Sequence, residues 1–297
     1  MLIPDVSVLC ITYNHERYIR KAIESFLNQK TTFSFEIVIH DDCSTDGTRK
    51  ILADYAKKYP DIIVLILQNE NQYSKGRNVI QLAQNVCRGR YIAICEGDDY
   101  WVDVNKIQLQ GEFLDLNPKY SMVFCNSFLQ FDDDSSFSKQ VFCNLNKSSF
   151  NLHDIIAKDW FIPTQSIMYR KIAMRFQPWF NYAHSVDYSM QLILASEGDI
   201  YYINRPMSVY RVHKGGVSNS APVGFPQMKK IQILSHFDLL HEFKYHLIIE
   251  SRCSVERQLI YRKTLDARPW YIRLLSIDFY LNKLRNRISF LRGWVGY

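Results

Sequence analysis

The sequence predicts an α/β protein, a Rossmann-like, mostly parallel sheet flanked by helices, followed by a C-terminal helical region. Three observations lead there. Apolar runs at 6–11, 35–39, 62–67 and 91–95 alternate with segments whose apolar residues repeat at helical spacing. Strands separated by helices of this length call for parallel pairing with right-handed crossovers and helices on both faces. Polar loops follow the strands, and sheets of this kind bind ligands outside the carboxyl ends of their strands.

Taken in order, the first run leads through Thr12, Tyr13 and Asn14 into a helix over 17–29, with Tyr18, Ala22, Ile23, Phe26 and Leu27 on its apolar face. The second run enters HDDCSTDGT, where Ser44 can cap a helix running to Tyr59, which Pro60 follows. After the third run a polar loop holds Lys75, Gly76, Arg77 and Asn78 ahead of a helix over 79–87. Residues 91–95 lack alternation, as expected of a strand buried on both faces, and end in Glu96, Gly97, Asp98 and Asp99. Further on, the pattern predicts a helix over 103–116, a hairpin pairing 122–131 with 137–142, a strand over 161–170 and a helix opening at Asp187. Asp132, Asp133 and Asp134 are expected to form a solvated turn at the hairpin tip, with no metal role.

Three carboxylates within four residues repel one another, so a cation or a sugar hydroxyl is expected to hold them. An all-oxygen ligand set favours Mg²⁺ or Mn²⁺ with open positions for a diphosphate. For an isolated cluster, an acidic turn ahead of a helix explains as much. The first loop has no G-x-G-x-x-G and the chain no G-x-x-x-x-G-K-[ST], which disfavours dinucleotide binding and a P-loop.

Composition sets bounds. With 47% hydrophobic and 22% charged residues the chain is globular. Seven cysteines without a C-x-x-C pair read as core residues of a reducing compartment. Neither a secretion signal nor a run of ~18 apolar residues is evident. The net charge of +6 sits at one end: 226–297 holds 13 of the 36 Lys and Arg but only 6 of the 30 Asp and Glu, so the 23 and 24 upstream nearly cancel. Nucleic-acid binding by the main domain has no electrostatic support, whereas a basic tail suits acidic lipid or an acidic partner.

VSVLCITYN at 6–14, IVIHDDCSTDGT at 37–48, GRN at 76–78, CEGDDYW at 95–101 and the stretch 186–218 ending in VYRVHKGGVS together resemble the family 2 glycosyltransferases of GT-A fold. The resemblance covers roughly 4–218. It implies a catalytic domain over 1–218, and from Pro226 the change to long helical, basic segments predicts a helical extension over 219–297. It also implies a site. Tyr13 matches the aromatic that stacks on the base, Asp42 the acceptor for the pyrimidine N–H with Asp41 beside it, and Arg77 a basic residue near base and phosphates. Asp98 would contact ribose or metal, and Asp99 would be the metal ligand, while Glu96 replaces the family's first aspartate. Asp187 matches the general base, with Val186 where an acid is common; its alternative reading is an acid favoured at a helix N-terminus. His213, with Tyr210 and Arg211, matches a loop that closes over the diphosphate. Asp46 caps a turn. Tyr100 and Trp101 divide between a sugar-site floor and core, and Thr164 and Gln165 fall on the acceptor side.

The function implied is metal-dependent (Mn²⁺ or Mg²⁺), inverting transfer from a nucleoside-diphosphate sugar, a UDP-sugar first, to a hydroxyl of a glycan or lipid-linked acceptor in surface polysaccharide synthesis. The setting is cytoplasmic or at the inner face of the membrane. A nucleotidyltransferase and a non-catalytic nucleotide-sugar-binding protein are the alternatives; the first lacks its glycine-rich phosphate loop, the second would not keep Asp42, Asp98, Asp99 and Asp187. In the tail, Trp270, Leu274, Ile277, Leu281, Leu284, Ile288, Leu291 and Val295 mark one apolar face. Packing or a homodimer seam is expected of it before membrane contact through 268–297.

Overall fold

The computed structural model describes residues 3–131, 140–158, 160–183, 185–213, 222 and 224–266. In chain order these form β1 (Val6–Thr12), α1 (Ile19–Leu27), β2 (Phe35–Asp41), α2 (Thr48–Lys58), β3 (Ile63–Leu67), α3 (Val79–Gln84), β4 (Tyr91–Ile94), β5 (Tyr100–Trp101) and α4 (Lys106–Leu116). There follow β6 (Tyr120–Phe131), β7 (Ser149–Phe150), α5 (Leu152–Ala157), β8 (Met168–Arg170), α6 (Val186–Glu197), β9 (Asp199–Val212), α7 (Phe225–Leu240) and α8 (His246–Asp266).

All nine strands join one sheet in the order β3-β2-β1-β4-β8-β6-β9-β5, with β7 alongside β9. The half from β3 to β4 is parallel, as is the β6–β9 pair, while β8, β5 and β7 pair antiparallel. Register places Thr12, Asp41 and Leu67 level at the carboxyl ends of β1, β2 and β3. The Gly97 N–H reaches the Ile11 carbonyl at 2.9 Å, so the acidic turn after β4 arrives at the same rim.

Alternate residues of β1 feed two cores, one per face of the sheet. Val6, Val8 and Cys10 pack with α1, α2 and α4, whereas Leu9 packs with α3, α5, α6 and the last two helices. Ile19, Ala22, Ile23 and Phe26 supply the buried stripe of α1. Ile233, Leu234 and Phe237 of α7 and Ile249 and Cys253 of α8 belong to the main core. The described part of the 219–297 extension thus packs on the sheet domain; the heptad stripe of 270–295 and the Asp132–Asp134 run lie outside the described residues.

Several local expectations change. The strand expected over 161–170 is a 3₁₀ turn at Thr164–Ser166 followed by the short β8. Ser44 does not cap α2, because its Oγ accepts the Asn14 N–H at 2.9 Å. Asp46 Oδ1 accepts the Thr48 N–H at 3.0 Å instead. The hairpin is represented by a bridge between Phe128 and Val141. Lys106 is a charged side chain with no exposure. Its Nζ lies 2.7 Å from Gln110 Oε1 and 4.3 Å from the Trp101 ring centroid, and burial lowers its pKa to about 8.

Candidate active site

The loops after β1 and β2 are knitted together. Asn14 takes a left-handed backbone (φ 56°), which asparagine tolerates better than most residues. Its Oδ1 accepts the Thr45 N–H at 2.8 Å, while the His15 N–H donates to Thr48 Oγ1 at 2.9 Å and the Glu16 N–H to Asp46 Oδ2 at 3.1 Å. This lock leaves the Tyr13 ring 44% exposed on the rim and turns His15 inward beside Gly97.

Glu96, Asp98 and Asp99 each offer an oxygen within 4.8 Å of the others. Burial, then the charges of Asp98 and Asp187, hold the Glu96 carboxyl well above its ordinary pKa; burial, then Asp98 and Glu96, do the same to Asp99. Asp98 goes the other way. Burial works to raise its pKa, but the His213 hydrogen bond and the His15 charge outweigh it. The His213 Nε2 lies 3.0 Å and the His15 Nε2 3.7 Å from Asp98 Oδ2. Arg211 completes the frame: its N–H donates to Asp99 Oδ1 at 2.7 Å and its guanidinium to the Asp98 carbonyl. The same guanidinium covers the rings of Tyr18 and Tyr100, and the Tyr18 and His213 centroids are 5.0 Å apart.

These residues fit a divalent cation. The donors are all oxygen, Glu96 and Asp99 are pushed toward the neutral form by burial and then by the charge of Asp98 and other nearby carboxylates, and a positive ion among them would offset that penalty. Thr12 Oγ1 and His15 Nδ1, both buried and without a hydrogen-bond partner, flank the cluster at Gly97. A Cβ on Gly97 would meet them at 2.8 and 2.9 Å, so only glycine lets the acidic turn pass this close to β1.

Asp187 is half-buried in the first turn of α6, but it is not the cap. Ser185 holds that position, its Oγ accepting the Tyr188 N–H at 3.3 Å. Thr164 Oγ1 lies 3.3 Å from Asp187 Oδ2, and the carboxylate stands near enough to raise the pKa of Glu96. The 3₁₀ turn that interrupts 161–170 is what delivers Thr164 to it.

The remaining sequence-singled residues divide. Asp42 is 2% exposed, its Oδ1 accepting the Gln72 N–H at 2.7 Å and its Oδ2 the Tyr73 N–H at 3.0 Å, so it holds the loop after β3. Asp41 Oδ2 takes the Ser44 N–H and the Arg49 Nε, leaving Oδ1 buried without a partner. Trp101 is core, donating from Nε1 to the Gln165 carbonyl at 2.9 Å. Tyr100 is buried with Lys21 Nζ 3.9 Å over its ring. Gln165 is fully buried and bonds Ser127 Oγ. Arg77 is exposed and lines a cleft beside α3. Sequence reasoning missed His15, whose only signal was its place after Asn14, and read Tyr18 as apolar face of the first helix, whereas it stands at the N-cap of α1 with its ring against His213.

The sheet order brings the acid cluster to the rim at the carboxyl ends of the parallel strands, where the loops after β1 and β2 also lie. Residues 7–180 match the model of the family described as "Glycosyl transferase family 2", and the chain belongs to that family. An uncharacterized protein of Mycobacterium tuberculosis is 33% identical over 225 residues, covering 73% of this chain and 61% of the relative, so the chain spans less than two thirds of that relative's length. The UDP-Glc:alpha-D-GlcNAc-diphosphoundecaprenol beta-1,3-glucosyltransferase WfaP of Escherichia coli is 29% identical, over 72% of this chain and 79% of its own. Among solved structures, the mannosyltransferase PcManGT of Pyrobaculum calidifontis, in complex with GDP-Man and Mn²⁺, superposes with a TM-score of 0.54 at 17% identity, covering 95% of this chain and 81% of that one. That likeness is one of GT-A fold.

Proposed function

We propose that this chain is a metal-dependent, inverting glycosyltransferase that moves a sugar from a UDP-sugar to a hydroxyl of a lipid-linked or glycan acceptor. The observation that carries the reading is the Glu96–Asp98–Asp99 oxygen cluster, with Asp187, bonded to Thr164, near enough for its charge to act on Glu96. Asp187 accepts the proton of the acceptor hydroxyl as that oxygen attacks the anomeric carbon from the side opposite the diphosphate. The bond from the anomeric carbon to the diphosphate oxygen breaks, its electron pair leaving with the nucleoside diphosphate. Glu96, Asp98 and Asp99 would hold Mn²⁺ or Mg²⁺, whose contribution when bound is to neutralise charge on that leaving group. Tyr13, 44% exposed, would stack on the base, Asp41 and Asp42 at the carboxyl end of β2 would meet the nucleoside, and His213, 3.0 Å from Asp98 Oδ2, would orient that carboxylate.

The lipid-linked acceptor is suggested by the name of the E. coli relative, and the UDP by the same name. Among the described residues no helix is long and apolar enough to cross a membrane. Contact with an acidic membrane surface through the basic 268–297 segment is part of this proposal, with a cytoplasmic, inner-face location. A panel of UDP-, GDP- and dTDP-sugars, each offered with Mn²⁺, with Mg²⁺ or with chelator, tests the reading by nucleoside-diphosphate release. Release from a UDP-sugar that stops on chelation is expected. Release from no donor, or full turnover of the chelated protein, would overturn it.

A further inference from the structure

Three aromatic rings gather where β9 ends. Phe142 and Tyr210 meet the Trp160 indole at steep angles, with centroids 4.8 and 5.8 Å away and planes at 89° and 67°, and Trp160 keeps 45% of its surface exposed. Trp160 and Phe142 fall outside every stretch that carries the family resemblance. We infer that this indole is the platform on which a pyranose ring of the acceptor stacks; the acceptor role rests on the function proposed above.

Contacts fix where the platform lies. Tyr210 precedes Arg211, whose N–H donates to Asp99 Oδ1 at 2.7 Å. The Trp160–Tyr210 separation, one tyrosine side chain, one peptide link and that hydrogen bond together put the indole at most about 15 Å from the Asp99 oxygen, within reach of a short saccharide. On the other side, Thr164, four residues after Trp160, bonds Asp187 Oδ2 at 3.3 Å, and Phe161 packs against the core that buries Tyr188 and Met190 of α6, the helix whose first turn holds Asp187. Tyr13 follows β1, four places along the sheet from β9, so the platform is not the ring offered to the nucleoside.

A pyranose has an apolar face of C–H bonds and a rim of hydroxyls, and an exposed indole bordered by polar groups complements both. The chain on either side of the platform supplies those groups. Asn144, Asn146 and Lys147, just after Phe142, and Lys158, two residues before Trp160, line one cleft of about 230 Å³. Lys147 is held by Asp154 at 2.5 Å, whereas Lys158 lies over the Phe150 and Phe161 rings and offers an exposed ammonium. A lipid chain would gain from the rings but would cover these donors without pairing them.

Titration calorimetry on the full chain tests the platform with cellobiose, chitobiose and the N-acetylglucosaminyl diphosphate of a short alkyl alcohol, beside the same alkyl diphosphate without its sugar. At least one saccharide should bind, and its affinity should fall about tenfold in Trp160→Ala while Trp160→Phe, which keeps a ring, stays within about threefold of the parent. Binding should also shift tryptophan emission in the parent. Trp160→Phe should lose that shift while still binding, a signature that a merely structural indole would not give. UDP affinity and melting temperature should stay near the parent values in both variants, since the side chain is nearly half exposed. Absence of binding by every saccharide, unaltered affinity in Trp160→Ala, equal binding of the sugar-free diphosphate, or a matching loss of UDP affinity would overturn the inference. A parent chain that binds saccharide through Trp160 but binds no UDP would instead strike the proposed function and leave the saccharide site standing.

Discussion

Replacing Asp42 by asparagine separates two roles that the same carboxylate could serve. Both of its oxygens accept backbone N–H groups, from Gln72 at 2.7 Å and Tyr73 at 3.0 Å, at 2% exposure. Asparagine keeps one acceptor and sets an NH₂ donor against the other N–H, losing charge assistance at both. Hydrogen bonds to a charged group are worth about 1.5–3 kcal/mol, and an unsatisfied buried donor costs a similar amount. Taking a loss of about 1.5–3 kcal/mol and a shift of ~2–4 °C per kcal/mol, the melting temperature should fall by about 3–12 °C. UDP affinity should weaken with it, because the released segment at 70–78 borders the rim. Scanning calorimetry beside UDP titration checks both quantities. An Asp42→Asn protein that melts like the parent yet loses UDP affinity would refute the loop-holding role and restore a direct contact with the base.

Gly97→Ala should cost ~1–3 kcal/mol of stability and most of the activity, since its Cβ would sit 2.8 Å from Thr12 Oγ1 and 2.9 Å from His15 Nδ1 in a packed turn; denaturant melts and turnover assays showing parent-like values would disprove the close approach. Lys106 gives a pH signature. Its folded pKa of about 8 lies below the ordinary 10.5, so below pH 8 both states are charged, and between 8 and 10.5 only the unfolded chain keeps the proton. Stability attributable to Lys106 should therefore rise through that window, by about 1.4 kcal/mol per unit at most. The difference between denaturation curves of the parent and Lys106→Met isolates it from other titrations, and a difference flat from pH 7 to 10 would contradict the burial argument.

The parallel half of the sheet was legible because strands buried on both faces read as apolar runs without alternation, unbroken at β4 and interrupted only by Ser7 in 6–11 and Glu36 in 35–39. The strands β5, β7 and β8 were not, since two or three residues carry no period and owe their state to pairing with longer neighbours. The acid cluster could be read from spacing alone. Its setting could not: His15 reaches Asp98 because Asn14 turns left-handed, and Arg211 holds Asp99 with a peptide N–H, a group every residue has. Asp42 shows a different limit: its letter does not say that both of its oxygens also accept backbone N–H groups from the loop after β3. At α6 the capping motif begins one residue before the helix, at Ser185, which frees Asp187 from the duty that its position suggested.

The account turns on Asp187, and Asp187→Asn tests it most directly. Ser185 keeps the helix cap in that variant and asparagine can still accept from Thr164, so fold, melting temperature and UDP affinity should stay near the parent values. What asparagine cannot do is take the acceptor's proton, and turnover with the UDP-sugar identified by the donor panel should fall on the order of 10²–10⁴-fold. Transfer at close to the parent rate by a folded Asp187→Asn protein would contradict the account.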